Sequence, residues 1–206
     1  MKYYCRILIA LIGIFFVGLG VAFNAATLFG NDAIAILYDG LRNVLKMSPD
    51  QLGLVSNGVN VAMIIVLFFL GKRFINIGTL IYILPFGFFV SIGTKIFHLF
   101  LQQESFIQRI IGAVIGCSAT YFGVALFIWV NLGLDPFTGV VMAVSEKLKW
   151  TFRKTKICFD IIMVATGFLM GGKLGVITLV TVLTAGPIIQ FFTEQLRKIR
   201  LVEDNK

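Results

Sequence analysis

Apolar residues along this chain come in six long runs, separated by short segments that carry glycine, proline or charge. A helix needs about 20 apolar residues to cross the hydrocarbon of a bilayer, and runs near that length predict membrane-spanning helices. The predicted spans are residues 7–29, 52–70, 76–97, 108–132, 155–171 and 174–193. The stretch that follows, 194–206, is charged and predicts a frayed helix end or a cytoplasmic tail.

Two shorter amphipathic segments, 33–47 and 136–149, follow the first and the fourth run. Both are too short and too polar to cross a membrane alone. Segments of this kind lie flat in the interface, or dip partway into the bilayer and return. The sequence predicts two short helices here and leaves both placements open.

The chain also contains a repeat of its own sequence. Residues 6–47 align with residues 109–150, and twelve of the 42 pairs are identical, where composition alone gives about three or four. Three spans in each copy is an odd number, so the second copy must start on the opposite face of the membrane. The sequence therefore predicts an all-α membrane protein built as an inverted repeat, with copies at 1–100 and 101–193. Inverted repeats are typical of secondary carriers.

Composition and charge agree with a membrane protein. The 206 residues are 58% hydrophobic and 14% charged, with a mean hydropathy of +0.95, whereas soluble domains carry about 25% charge. With the N-terminus inside, 13 of the 18 basic residues fall in inner segments, as the positive-inside rule requires. The net charge of +8 therefore indicates orientation in a membrane, with both termini cytoplasmic, rather than binding of nucleic acid. The segment 7–29 resembles a signal peptide, but its internal counterpart favours a retained helix.

The same helix break follows the first span of each copy, as Gly30-Asn31-Asp32 and as Gly133-Leu134-Asp135-Pro136. Glycine ends one helix, aspartate caps the next, and Pro136 suits the first helical position. One interpretation is a capped interfacial helix. The other is a re-entrant half-helix whose positive N-terminus faces a central site. Such an end suits an anionic group, while Asp32 and Asp135 themselves suit a cation or a proton.

Polar side chains inside the spans are further candidates for a binding site. Asn57 and Asn60 fall in the second span, and Asp160 falls at nearly the matching place in the fifth. An ionisable group inside a span costs at least about 2.5 kcal/mol, so it is a functional candidate by default. The alternative for Asp160 is an ion pair with Lys156, one helical turn away.

Thr79 and Thr178 occupy matching places in the third and sixth spans, upstream of Pro85 and Pro187. Their hydroxyls can bind backbone groups that a proline bend leaves free, or they can line a path for solute. Both interpretations remain open.

The sequence offers no enzyme, cofactor or metal motif. It contains no phosphate-binding loop of the GxxxxGK[ST] type, no HExxH, no GxSxG and only one histidine, His98. The cysteines, Cys5, Cys117 and Cys158, lack zinc or redox spacing. We therefore expect a protein that is not an enzyme and uses no cofactor.

The helix-break motifs, together with Gly171 to Gly175, Thr178 and Gly186-Pro187, carry a resemblance to a known family. They resemble the YczE/YitT-like family of bacterial integral membrane proteins, over residues 6 to 193. The resemblance implies a location in the bacterial cytoplasmic membrane and implies no particular substrate. The first copy departs from the pattern, because Ala33 stands where the motif has proline.

Together these features favour a secondary transporter of a small solute, with its site between the two copies. Asp32, Asp135, Asp160, Asn57, Asn60, Thr79 and Thr178 are the expected site residues, and a proton or a sodium ion is the candidate coupling ion. The alternatives are a non-transporting membrane scaffold or regulatory partner, and a channel, for which the spans contain few polar residues. The pairs Gly112/Gly116 and Gly167/Gly171 permit close helix approach, within one chain or across a homodimer.

Overall fold

The computed structural model describes residues 3–101 and 105–198, and within these ranges the chain contains helices and no strands. Short 3₁₀ turns at Pro49–Gln51 and Lys72–Phe74 flank the third helix. The helices are α1 (Tyr3–Thr27), α2 (Ala33–Val44), α3 (Leu52–Gly71), α4 (Ile77–Phe100), α5 (Phe106–Val130), α6 (Pro136–Leu148), α7 (Phe152–Leu169) and α8 (Val176–Lys198).

Every predicted element corresponds to one helix, although the bounds shift by a few residues. The short helices end earlier than predicted, at Val44 instead of 47 and at Leu148 instead of 149. At the C-terminal end α8 continues to Lys198, so the start of the predicted tail is helical. Residues 199–206 lie outside the described part of the chain.

Among the described residues, four stretches are long and apolar enough to cross a membrane: Tyr3–Thr27, Pro49–Phe74, Ile77–Phe100 and Phe106–Val130. A fifth is α8, if its parts Val176–Ala185 and Pro187–Lys198, bent by 44°, count as one span. The bend falls at a proline, which cannot donate the backbone hydrogen bond of a straight helix. The predicted fifth span, α7, does not qualify, because its first half carries Lys154, Lys156 and Asp160. Six spans therefore stay a prediction.

Glycines let α1 and α5 approach each other closely at two levels. A Cβ atom added at Gly13 would lie 2.8 Å from the Gly123 carbonyl oxygen, and one added at Gly20 would lie 2.5 Å from that of Gly116. Residue numbers rise along α1 as they fall along α5, so the two helices are antiparallel. The close contact depends on the missing side chains, as at other small-residue interfaces of membrane helices.

At each end of the α1–α5 interface, an arginine near the start of one helix binds carbonyl oxygens at the end of the other helix. Arg6 donates from Nε and Nη2 to the Val130 carbonyl oxygen, at 2.8 and 2.6 Å, and from Nη2 to that of Asn131, at 2.7 Å. At the opposite end Arg109 donates from Nε to the Thr27 carbonyl oxygen, at 2.7 Å. Each arginine thus binds carbonyls that the last turn of the other helix leaves unpaired.

Contacts between the other helices also occur in matched pairs. The α1–α4 contact corresponds to α5–α8, the α2–α7 contact to α6–α3, and the α2–α3 contact to α6–α7. Backbone conformations match in the same way, because positive φ angles recur 103 residues apart. The matched pairs are Leu28 with Asn131, Gly30 with Gly133, and Lys46 with Lys149.

Candidate functional site

Both helix breaks place an aspartate at the N-terminus of a short helix. Asp32 accepts hydrogen bonds through Oδ1 from the backbone N–H groups of Ile34 and Ala35, each at 3.0 Å. Asp135 accepts one through Oδ1 from the Thr138 N–H, at 3.0 Å. A carboxylate of the protein itself therefore occupies the positive end of each short helix. This arrangement argues against the anion-binding use of these ends.

Each helix-break loop is bound by the start of the last helix of the other half. The Gly78 N–H donates to the Leu132 carbonyl oxygen at 3.1 Å, and the Ile177 N–H donates to that of Phe29 at 3.0 Å. Thr79 is fully buried and donates through Oγ1 to the Leu134 carbonyl oxygen, at 2.7 Å. The loops that hold Asp32 and Asp135 are thereby fixed to α8 and α4.

The side chains of the two predicted site threonines form hydrogen bonds with backbone groups. Besides its bond to Leu134, Thr79 Oγ1 lies 3.2 Å from the Asn76 side chain in the cap of α4. Thr178 is buried, and its Oγ1 accepts from the Gly175 N–H at 3.5 Å. Both side chains therefore stabilise the helix starts beside the two breaks.

The asparagines of α3 differ in their partners. Asn57 Oδ1 accepts from the Gly87 backbone N–H at 2.8 Å, two residues beyond Pro85 in α4. Asn60 is fully buried, and its Nδ2 donates to the Ser56 carbonyl oxygen at 2.8 Å and to the Tyr38 hydroxyl at 3.3 Å. Its Oδ1 is buried and has no hydrogen-bond partner among the described residues. Buried acceptors without a partner are rare in native structures and call for an explanation.

Asp160 forms an ion pair with Lys156 of the same helix, the alternative that the spacing suggested. Its charge is therefore balanced locally, and no hydrogen bond joins Asp160 to Asn57 or Asn60 among the described residues. A second ion pair joins Asp39 and Arg42 on α2, at 2.7 Å. These two carboxylates have basic partners, in contrast to Asp32 and Asp135.

A group of aromatic rings surrounds the Tyr38 side chain, which is 2% exposed. The ring centroid of Tyr38 lies 6.3 Å from that of Phe86 and 6.1 Å from that of Phe137. Tyr82 stacks on Phe86 with centroids 5.0 Å apart. We call Tyr38, Tyr82, Phe86 and Phe137 the ring cluster. Sequence reasoning missed it, because its members come from three helices, and aromatic residues are common throughout this chain.

The ring cluster lies near both helix-break carboxylates. Burial is the main cause that raises the pKa of the Tyr38 hydroxyl well above its ordinary value, and the charges of Asp32 and Asp135 both add to the increase. Burial also raises the pKa of Asp32, although its backbone hydrogen bonds and Lys156 oppose the shift. The carboxylates of both helix breaks thus raise the pKa of the same buried hydroxyl, that of Tyr38 on α2.

Two concavities of the described structure are small or shallow. One cleft beside Asn31, Asp39 and Lys173 encloses about 10 Å³, room for one water molecule at most. A shallow groove of about 270 Å³ on α7 is lined by Thr151, Lys154, Ile157 and Cys158. Within residues 3–101 and 105–198, no three His, Cys, Asp or Glu side chains meet in a metal-binding group. Tyr38, Phe86 and Phe137 of the ring cluster are at most 3% exposed, so the cluster is closed to solvent in this conformation.

The outer surface identifies the class of protein. Large apolar side chains project from it, among them Phe69, Leu84 and Val114 at 78%, 80% and 61% exposure. Apolar surface of this extent, on helices long enough to span a bilayer, belongs in lipid. The chain is a helical membrane protein.

Residues 4–194 match the model of a family of unknown function, DUF6198, and the chain belongs to this family. An uncharacterized protein of Haemophilus influenzae is 28% identical over 121 residues, which cover 59% of this chain and 54% of that protein. The match thus spans about half the length of the curated relative. No solved structure matches the chain. These comparisons give no evidence for the YczE/YitT-like family in particular.

Proposed function

We propose that the protein is a secondary transporter of a small solute, built as an inverted repeat of two three-span halves in the bacterial cytoplasmic membrane. The observation that carries the proposal is the reciprocal capping of α1 and α5 by Arg6 and Arg109. Equivalent residues make equivalent bonds in both directions, which is the relation that a two-fold axis in the membrane plane produces. Carriers use this symmetry to exchange outward and inward states.

The proposed site lies around the ring cluster, where Tyr38 of α2 and Phe137 of α6 make a ring contact, and it includes Asn60, Asp32 and Asp135. Each break is bound to the last helix of the opposite half, so rocking of the halves would change the surroundings of both carboxylates together. Asn57, Thr79 and Thr178 support the backbone around this site, and Asp160 forms its ion pair at the edge. The closed interior is then the occluded state of the cycle, and a proton or a sodium ion would couple through a carboxylate.

Solvent accessibility of the two breaks tests this proposal. Asp32 and Asp135 are replaced singly by cysteine in a chain from which Cys5, Cys117 and Cys158 have been removed. A membrane-impermeant thiol reagent is then applied from each side in turn. Labelling of the two positions from opposite faces, or of one position from both faces, is the expected result. A chain in which neither position reacts is not a carrier of this design.

A second function, a non-transporting scaffold or regulatory partner, is favoured by one observation. The basic segment 147–156 is exposed at Lys147, Lys149 and Trp150, while the interior is closed. Basic residues beside a membrane attract anionic lipid at about 1 kcal/mol each, and a partner could use the same surface. If this second function is correct, cysteines at positions 32 and 135 do not react with the thiol reagent. Replacement of Lys147 and Lys149 by glutamate then abolishes binding of the partner protein.

A further inference from the structure

We propose that the site around Asn60 and the ring cluster binds a small organic cation that carries N–H donors, such as a primary ammonium group. The inference deepens the proposed carrier function and rests on it for the meaning of the site. It begins from Asn60 Oδ1, an acceptor at a fully buried position with no partner among the described residues.

The orientation of the Asn60 amide is fixed by its surroundings. Nδ2 donates to the Ser56 carbonyl oxygen at 2.8 Å, and a flipped amide would place two acceptors against each other. Oδ1 must therefore be the unpaired atom. A buried acceptor without a partner costs about 1–3 kcal/mol, and a donor on a ligand would remove that cost.

Charge favours a cationic donor over a neutral one. Asp32 and Asp135 each use Oδ1 for backbone N–H groups, and neither forms an ion pair with a basic side chain in the described ranges. Lys156 is a basic group whose charge acts on Asp32, and it is already paired with Asp160. Two carboxylates without basic partners leave the centre negative, so a positive solute is attracted and a negative one is repelled.

The aromatic surroundings favour an organic cation over a metal ion. Tyr38 lies 6.3 Å from Phe86 and 6.1 Å from Phe137, centroid to centroid, so aromatic rings pack around the tyrosine to whose hydroxyl Asn60 donates. A cation over the face of such a ring gains about 0.5–2 kcal/mol. Calcium and magnesium take six or more oxygen ligands, and Asn60 Oδ1 is the one buried side-chain acceptor without a partner among the described residues. An alkylammonium ion satisfies both features, with N–H groups for oxygen and an alkyl part for the rings.

The test is calorimetric titration of the purified full chain in lipid nanodiscs with three small probes of matched size. They are n-propylammonium, propan-1-ol and propionate, which differ in charge and share a three-carbon skeleton. We expect saturable binding of propylammonium, at least tenfold tighter than that of the other two. Tetramethylammonium, which has no N–H donor, should bind more weakly than propylammonium. Propan-1-ol or propionate binding equally well, or no binding of any probe, would overturn the inference.

Variants locate the binding at Asn60. Asn60→Leu should weaken propylammonium binding at least tenfold, Asn60→Asp should retain it because an acceptor is kept, and Asn43→Leu should bind like the unchanged chain. Asn43 is the matched control, because it is a surface asparagine whose bond goes to the Gly171 carbonyl. Size-exclusion profiles and melting temperatures confirm that each variant is folded. Unchanged binding by a folded Asn60→Leu chain contradicts the assignment.

The outcome is separable from that of the carrier proposal. If positions 32 and 135 react with thiol reagent but propylammonium does not bind, the carrier stands and the solute class is wrong. If propylammonium binds through Asn60 but neither position reacts from either side, the site is real and the carrier is wrong.

Discussion

Replacement of Arg6 by alanine tests the reciprocal α1–α5 caps. Its guanidinium makes three short bonds, of 2.6–2.8 Å, to the last carbonyls of α5. One hydrogen bond to a charged group contributes about 1.5–3 kcal/mol, and a cation at a helix C-terminus adds about 0.3–1 kcal/mol. All three bonds share one partly exposed side chain, so we expect Arg6→Ala to lower the free energy of unfolding by about 2–3 kcal/mol.

Arg109→Ala is expected to cost about 2 kcal/mol, because this residue makes one bond to Thr27 and lies 4.4 Å from the Phe29 ring centroid. The two caps lie near opposite ends of α1, where Arg6 and Thr27 are roughly 32 Å apart at 1.5 Å per residue, so their effects should add within about 0.5 kcal/mol. Unfolding in mixed micelles with increasing SDS, followed by circular dichroism, measures both. Arg197→Ala, at an exposed position of α8, is the control. A negligible cost for either arginine refutes the reciprocal arrangement.

Three further predictions use the same unfolding assay. Gly20→Leu should lower the free energy of unfolding by more than about 3 kcal/mol or prevent folding, because the new side chain would collide with the α5 backbone. Gly58 has open space around it, so Gly58→Ala should change that free energy by no more than about 1 kcal/mol. Equal effects of the two substitutions would contradict the close contact between α1 and α5. Asp135→Ala should cost about 1 kcal/mol through loss of its cap, and Asp50→Ala, on an exposed turn, should be neutral. Burial raises the pKa of Asp32, so the stability linked to its protonation is complete below about pH 4 and is lost as the pH rises through the folded-state pKa. Relative to the unchanged chain, Asp32→Asn should therefore gain stability as the pH rises above about 4 and through the folded-state pKa of Asp32. A stability difference that stays constant with pH would contradict the titration of a buried Asp32 carboxyl.

Local signals in the sequence were enough to predict the helices and the breaks between them. Asp32 and Asp135 cap helices because a short acidic side chain reaches the free N–H groups two or three residues on. The recurrence of Gly30 as Gly133 marked two loops that need positive φ. The predicted bounds differ from the observed ones at helix ends, where the chain can leave the helix at neighbouring residues with little difference in energy.

The partners of the polar residues could not be predicted, because they depend on tertiary contacts. Thr79 was expected beside a proline bend or a solute path, and it binds the Leu134 carbonyl 55 residues away. Asn57, rather than a threonine, binds the backbone N–H of Gly87 near Pro85. Asn60 and Tyr38 are 22 residues apart, and no pattern in the sequence links them.

The most direct test of the central claim compares the two members of one repeated pair across the membrane. Lys46 and Lys149 share a positive φ, close their respective short helices and are exposed. Each is replaced by cysteine in the cysteine-free chain, and an impermeant thiol reagent is applied to intact cells and to inside-out vesicles. We predict that position 46 reacts only from outside and position 149 only from inside. Reaction of both positions from the same face would contradict the inverted repeat, and with it the carrier that depends on that symmetry.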